Sequence, residues 1–406
     1  MVHTEAASTI RHANDDFFTD PQVYYRRWRE YGPVHRVQFS RGAPCWVVIG
    51  YAEGRTALTD PRLRKGFQGM REVFQRKNPE VLSDPNFQDL TAHMLASDPP
   101  DHTRLRKLVS KVFTSRRVAV LRPRIEEIAT ELADSLAEQD EADLIREFAQ
   151  PLPVTVICEL LGVPFTDREA FQAWTKVLVS DWVENDQRDR ASAEMTEYLQ
   201  DLLAEKRTHP SDDLLSGLVH ARDNGDELSE RELVAMVFLL LVAGHETTVN
   251  LIGNGTYAML RNKSQFHALR NDLSAVPAAV EEFLRYEGPV GWATVRYTDE
   301  PVRIAGIDIP AGELVYVALA ATNHDPDRYH NPDTLDITTD ASGHLAFGYG
   351  IHFCIGAPLA RLEAVVAFTT LLQRFPKLEL ADAAFIPSWQ RSTLIRGITE
   401  LPVRLR

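Results

Sequence analysis

Ten residues concentrate more chemistry than any other stretch of this chain: Phe347-Gly-Tyr-Gly-Ile-His-Phe-Cys354-Ile-Gly356. A thiol acts as a ligand or a nucleophile only as its thiolate. Pro358 suits the first turn of a helix, and Leu359, Leu362 and Val366 supply that helix with an apolar face. A helix N-terminus following the sulfur favours negative charge there. Gly348, Gly350 and Gly356 allow close approach of something large, or a positive φ. Phe347 and Phe353 can wall off water. The combination describes a sheltered thiolate beneath a flat partner. A nucleophilic cysteine would need a histidine base in contact, and His352 on an extended loop is expected to point elsewhere.

A second constellation is Leu239-Leu-Leu-Val242-Ala243-Gly244-His-Glu246-Thr247-Thr248. It lies inside an apolar helical run whose start is marked by Ser229-x-x-Glu232, a capping box, with Leu228 and Leu233 placed as a hydrophobic staple. The run turns polar in mid-course. A threonine hydroxyl can bond the carbonyl four residues back and bend a helix. A polar kink of purely structural use is the bland reading; a groove holding a hydroxyl and a carboxylate is the functional one. A third stretch, Asp98-Pro-Pro-Asp-His102-Thr-Arg104-Leu-Arg106-Lys107, opens another helix. His102 and Arg106 fall about 40° apart on one face, with Arg104, Lys107 and Lys111 roughly opposite. Glu282 and Arg285, three apart on a helical pattern, would ordinarily form a solvated surface pair. Arg296 alone would be a strand-edge surface arginine.

Taken together, Phe-Gly-x-Gly-x-His-x-Cys-x-Gly resembles the haem-binding loop of the cytochrome P450 family, and the three other stretches agree with it. The resemblance runs over nearly the whole chain and is nearest to soluble bacterial P450s of actinobacterial secondary metabolism. It implies haem b with Cys354 as the axial iron ligand, a thiolate that favours O–O cleavage. Phe347, Gly348 and Gly356 would then belong to the cofactor loop, and Ala243 and Gly244 to the helix over the distal side. Thr247 matches the oxygen-activating alcohol and Glu246 the acid of the proton relay. His102, Arg106, Arg296 and His352 match contacts to the haem propionates, carboxylates that suit charged donors. Glu282 and Arg285 match a buried structural ion pair. One departure is Ile-Thr-Thr-Asp after Asp333-Thr-Leu-Asp336, where relatives often carry a basic residue; a local salt bridge is expected to be looser.

The elements that must position these residues are mostly helical. Patterns recur at about 102–115, 121–138, 189–206, 229–258, 276–286 and 358–374. Segments 34–39 and 45–49 flank an Arg41-Gly42 turn and read as a hairpin; 302–304, 307–309 and 314–317 lie between Gly and Pro punctuation. The expected class is mainly α with small β-sheets, α+β. At 406 residues, 44% hydrophobic and 25% charged, the composition is that of a soluble globular protein. No linker or repeat divides it, so residues 1–406 are expected to form a single domain, with the polar stretches 136–143 and 209–227 as loops within it. The N-terminus lacks a secretory pattern, and the apolar run 233–244 is too short for a bilayer. A cytoplasmic protein off the membrane, acting as a monomer, is expected. Cys45 and Cys158 read as small buried hydrophobes. A net charge of −14 argues against nucleic acid as a partner.

The implied activity is a monooxygenase placing one atom of O2 into a lipophilic small molecule, by hydroxylation or epoxidation. A polyketide or macrolide is the leading substrate class, with terpenoids, steroids and carrier-bound substrates open. Electrons from NAD(P)H would arrive through a ferredoxin reductase and a ferredoxin. A peroxide-driven haem enzyme and a non-enzymatic haem module are the alternatives, and neither needs the Glu246–Thr247 pair. Candidate pocket residues are Met94, Leu239, Val242, Ala243, Val290, Trp292, Ala293, Thr294, Leu394 and Ile395, with Phe67, Met70 and Phe74 in a 65–95 loop; most are apolar.

Overall fold

A computed structural model of the protein describes residues 9–40, 42–77, 89–164, 168–178, 183–221 and 225–406. The chain divides into two compact units, one drawn from 9–77, 250–354 and 376–404, the other from 89–249, 355–375 and 405–406.

The first unit is organised by a six-stranded sheet. Its order is Arg11–Ala13, Val34–Phe39, Cys45–Val48, Leu314–Val317, Arg296–Thr298, Leu63–Arg64. The expected hairpin is present: Val34–Phe39 runs antiparallel to Cys45–Val48, with Val34 opposite Val48. Of its turn, Arg41 lies outside the described residues, while Gly42 takes φ +93°. Alternating aliphatic side chains bury the sheet against Ala57 and Leu58 of helix Tyr51–Thr59. Strands Val302–Ile304 and Ile307–Ile309 form a separate hairpin. Its turn is Ala305 (φ +49°) and Gly306 (φ +81°), the left-handed pair that two-residue hairpins favour.

Helix Val276–Glu287 carries the acid–base pair expected from the sequence. Arg285 Nε and Nη2 donate to both Glu282 oxygens at 2.7 and 2.8 Å. The guanidinium also donates to the carbonyls of Asn323, Pro332 and Thr334, and Glu282 accepts the Asp336 N–H at 3.0 Å. Both residues are buried. The pair therefore holds the 323–336 segment through main-chain atoms, and all of its charge is met by hydrogen bonds. Arg285→Leu would leave a buried, uncompensated carboxylate, a loss of about 3–5 kcal/mol. We expect it to yield little soluble protein with bound haem, measured as Soret absorbance per milligram. The departure at Asp336 is repaired locally. Its carboxylate accepts the Thr338 N–H at 2.9 Å and the Thr338 hydroxyl at 2.6 Å. Asp333, meanwhile, is paired with His324 and Arg26.

The second unit is helical. Helix Arg122–Leu136 packs on Ala357–Arg374 and on Pro151–Leu161, and Arg168–Leu178 packs on Asn185–Thr208. Helix Glu230–Arg261 begins in this unit and ends in the first. Its start is the capping box read from the sequence: Ser229 N–H donates to Glu232 at 2.9 Å, and Glu232 N–H to the Ser229 hydroxyl at 3.4 Å. By length and hydropathy this helix could cross a membrane, unlike the shorter run considered above, but 67% of its most apolar window is buried inside the protein. Packing accounts for its apolarity.

Several elements escaped the sequence reading. Helices Pro21–Arg29, Tyr51–Thr59, Pro151–Leu161, Arg168–Leu178 and Lys263–Asn271 were not expected, nor were the short strands Leu63–Arg64 and Arg296–Thr298. The 209–227 stretch holds helix Leu214–Val219, and the supposed 65–95 loop begins with helix Phe67–Lys77; 78–88 lie outside the described residues. Two- and three-residue strands are too short to show a period, and only pairing with distant chain defines them.

Candidate active site

The cysteine loop is built from backbone hydrogen bonds. Cys354 N–H donates to the Phe347 carbonyl at 3.0 Å, and Gly348 N–H to Leu345 at 2.8 Å. Gly348 and Gly350 take φ +71° and +76°, which L side chains rarely adopt. A Cβ at Gly350 would also stand 2.8 Å from Thr59. A short turn, Gly350–His352, lifts the chain before the sulfur, and the Phe347 and Phe353 rings lie 6.2 Å apart. Cys354 and Phe353 are exposed, whereas Cys45 and Cys158 are buried. Burial pushes the Cys45 thiol up to about 12, leaving it inert. Helix Ala357–Arg374 starts three residues after Cys354, with Gly356 as its N-cap at an ordinary φ of −78°.

In the long helix, Leu233 through Leu241 are buried, but the cover breaks at Val242–Gly244 and again at Glu246–Thr247, with Ala243 exposed. The Thr247 hydroxyl donates to the Ala243 carbonyl at 2.9 Å, four residues back. Its hydrogen is thereby committed, and its lone pairs remain as acceptors. Gly244 serves packing as well: a Cβ there would meet Ile157 at 2.8 Å. His245, not singled out from the sequence, is buried beside the Phe171 ring. Its Nδ1 must donate to the Leu241 carbonyl at 2.8 Å, because a carbonyl only accepts. Burial lowers its affinity for a second proton, against the opposing pull of that carbonyl and of Glu246. A neutral imidazole therefore presents Nε2 toward the Glu246 carboxylate, 4.0 Å away.

The cationic residues divide between the units. His102 is buried on helix Asp101–Val112, with Arg106 one turn on and half-buried. Arg104 is not part of an open basic stripe as its spacing suggested. It pairs with Glu232 and donates to the Glu227 carbonyl at 3.3 Å, leaving Lys107 and Lys111 as the exposed cations of that face. In the sheet unit Arg296 is buried and its Nη1 donates to the Thr294 carbonyl at 3.0 Å. His352 closes the short turn before Phe353 and is half-buried.

The family model described as Cytochrome P450 matches residues 23–395 of this chain. The chain belongs to the cytochrome P450 family. It is 52% identical to Cytochrome P450 107B1 of Saccharopolyspora erythraea over 392 residues, 96% of each chain. It is 44% identical to the 6-deoxyerythronolide B hydroxylase of the same organism, covering 97% of this chain and 98% of that one. The solved structure of the tirandamycin C-bound P450 monooxygenase TamI superposes with a TM-score of 0.89 at 49% identity, covering 97% of this chain and all of the other. The protein is accordingly a haem-thiolate P450 monooxygenase of the mainly helical P450 fold.

The residues present fit that cofactor. An exposed thiol next to exposed Phe353, just after the glycine turn, is an unusual arrangement for a cysteine, a residue type normally buried. It makes sense against a large flat ligand. Buried Arg296 and His102 suit carboxylates.

Not all pocket candidates of this P450 survive. Trp292 is 2% exposed, its Nε1 donates to the Tyr25 hydroxyl at 2.7 Å, and its ring packs on Phe17, Phe39 and Tyr316. It is a core anchor, because a large ring with one donor is best satisfied there. Val290 and Ala293 pack on the sheet core, and Val290 bridges Ile395. Thr294 accepts a hydrogen bond from Lys65. Leu394 accepts the Gly291 N–H through its carbonyl. Met94, Leu239 and Ile395 are buried, Val242 half-buried; Met70 is buried on its helix, with Phe67 and Phe74 half-buried.

Glu363, on helix Ala357–Arg374, also went unnoticed. It is fully buried, and neither carboxyl oxygen has a hydrogen bond of good geometry. Burial pushes its pKa well above the usual carboxylic value of 4.5, with the Thr248 hydroxyl pulling the other way. The folded protein holds this proton over a range of pH above 4.5 in which the unfolded chain has released it. Its contribution to stability is therefore present below pH 4.5 and lost as pH rises toward the folded value. Glu363→Gln should raise the melting temperature at pH 8 and change it little at pH 4. Equal shifts at both pH values would rule out a neutral acid.

Proposed function

We propose that this P450 hydroxylates or epoxidises a lipophilic small molecule of the polyketide or macrolide type. Haem held by the Cys354 thiolate supplies the oxygen-activating chemistry. Phe347, Gly348 and Gly356 shape its loop, and His102, Arg106, Arg296 and His352 hold its propionates. Ala243 and Gly244 present open helix backbone, Ala243 exposed and Gly244 half-buried. The observation that carries the reading is the break in burial at Ala243–Gly244 and Glu246–Thr247, after a run buried from Leu233 to Leu241, where an acid and an alcohol stand side by side. Glu246 takes protons from water and Thr247 accepts a hydrogen bond that directs them. Two relatives support the substrate class: one is a 6-deoxyerythronolide B hydroxylase and the other is a P450 monooxygenase solved with tirandamycin C bound. Electrons come from NAD(P)H through a reductase and a ferredoxin, in the cytoplasm, to a monomer.

The test is O2 uptake by holoenzyme with NADPH, ferredoxin reductase and ferredoxin, across a panel of macrolactones, linear polyketides, terpenoids and steroids. A product heavier by one oxygen, labelled from 18O2, is expected with a polyketide. Product formed only with added peroxide would refute it.

Ferredoxin docking is assigned to the exposed Lys107 and Lys111. A Lys107→Glu, Lys111→Glu variant should be reduced by ferredoxin at least tenfold more slowly in 50 mM salt. The difference should shrink as salt rises, because exposed charges are screened within about 10 Å at 0.1 M. Substrate affinity should not change. A parental reduction rate would remove these lysines from the docking surface.

A further inference from the structure

His245 stands between Gly244 and Glu246 on the long helix, and its side chain is held twice. Nδ1 donates to the Leu241 carbonyl at 2.8 Å. The ring meets that of Phe171, a buried residue of helix Arg168–Leu178, edge-on with 5.5 Å between centroids. The first bond fixes the tautomer, so Nε2 carries a lone pair and no hydrogen. Among the described residues, Glu246 is the one ionisable group whose charge acts on this imidazole. Its carboxylate lies 4.0 Å from Nε2.

That distance is too long for a hydrogen bond, and the donor inventory explains the gap. An ionised carboxylate and a neutral Nε2 are both acceptors, so no hydrogen bond can join them. A protonated carboxyl differs, because its O–H can donate to Nε2. The pinned imidazole is 3% exposed and the carboxylate 22%, so Glu246 is the partner that moves. About 1 Å of side-chain rotation brings the two within reach. Transfer of the proton onto the ring is opposed by burial, which disfavours an imidazolium. We propose that His245 is a positioning residue of the proton relay, whose Nε2 catches Glu246 in its protonated form and lets the ionised form go. Water supplies the proton, the O–H forms on Glu246, and that bond breaks only when the proton passes on toward Thr247. The spent carboxylate has no bond to the ring and turns back to water. The catch thus favours the loaded acid over the empty one. The proposal rests on Glu246 as the acid of the relay, and its tests separate the two.

Glu246→Gln gives the direct test, because its amide is neutral at every pH and carries an N–H where the loaded acid carries an O–H. In a crystal structure of the Glu246→Gln holoenzyme the amide is expected within about 3.0 Å of Nε2. An amide that keeps the parental 4.0 Å or more overturns the catch. His245→Phe retains a ring against Phe171 and removes the nitrogen. Its carbon-monoxide spectrum and far-ultraviolet circular dichroism should match the parent. Its kcat for product should fall about three- to tenfold at the alkaline end of the pH profile, the weight of one hydrogen bond. At the acid end, where proton supply does not limit, it should change little, and KM should hold throughout. An equal loss at every pH would mark a packing role and overturn the proposal. His245→Gln puts an amide acceptor near the place of Nε2 and should recover most of the alkaline activity. Both variants lose the bond to Leu241, so the difference between them isolates the acceptor. Parental rates in His245→Phe would show that no catch operates, while a slow Glu246→Gln would leave the acid in its role. Parental rates in Glu246→Gln would instead remove Glu246 from the relay.

Discussion

Cys354→Ser is expected to abolish oxygenation while leaving the fold in place. The cysteine loop is held by main-chain bonds from Cys354 N–H and Gly348 N–H, and neither involves the sulfur. Replacing the exposed thiol with a hydroxyl therefore leaves both bonds in place. What it removes is the negative charge directed at iron, since an alcohol does not ionise at neutral pH as a ligated thiol does. The reduced carbon-monoxide complex should lose the Soret position that marks thiolate ligation, with far-ultraviolet circular dichroism unchanged. Persistence of the thiolate-type band in Cys354→Ser would show that another residue is the ligand.

Glu246→Gln should slow the catalytic cycle by about 10²–10⁴-fold, the usual share of a general acid–base group. The carboxylate sits where the long helix loses its cover, so it can meet water on one side and Thr247 on the next residue. A glutamine keeps the shape and loses the proton. Thr247→Ala should behave differently. The hydroxyl already gives its hydrogen to the Ala243 carbonyl, so deleting it frees one helix carbonyl and removes an acceptor. Folding, haem content and the substrate-induced spectral change should remain. NADPH and O2 consumption should continue, with more hydrogen peroxide released and less oxygenated product. The deciding quantity is the ratio of product to NADPH consumed. An unchanged ratio in Thr247→Ala would assign the role to ordered water or to a substrate hydroxyl.

Much of this chemistry is legible because it is local. The loop ending at Cys354 needs glycines where the backbone turns left-handed, and Gly348 and Gly350 stand at those points. The capping box at Ser229 and Glu232 and the Glu282–Arg285 pair span three residues each, so helical geometry alone brings their atoms together. The helices at 229–258 and 358–374 are long enough for their period to show, and both are present to within a few residues.

What sequence spacing leaves open is which faces become buried and which distant residues they meet. Trp292 and Thr294 both read as pocket residues, yet one is enclosed by rings from the N-terminal segment and the other is taken by Lys65, 229 positions away. Arg104 has the spacing of a solvent-facing cation, but Glu232, 128 positions on, turns it inward. Glu363 looks like any helical surface acid until burial pushes its pKa well above the usual carboxylic value. By itself the sequence determined the family and pointed to the Cys354 loop and the adjacent Glu246 and Thr247 as its chemistry, because such motifs depend on neighbours within a turn or two of backbone. Only the tertiary structure decided that Arg64 faces Tyr297 and that Lys65 reaches Thr294, because strand register between chain segments so far apart is settled by packing of the whole sheet.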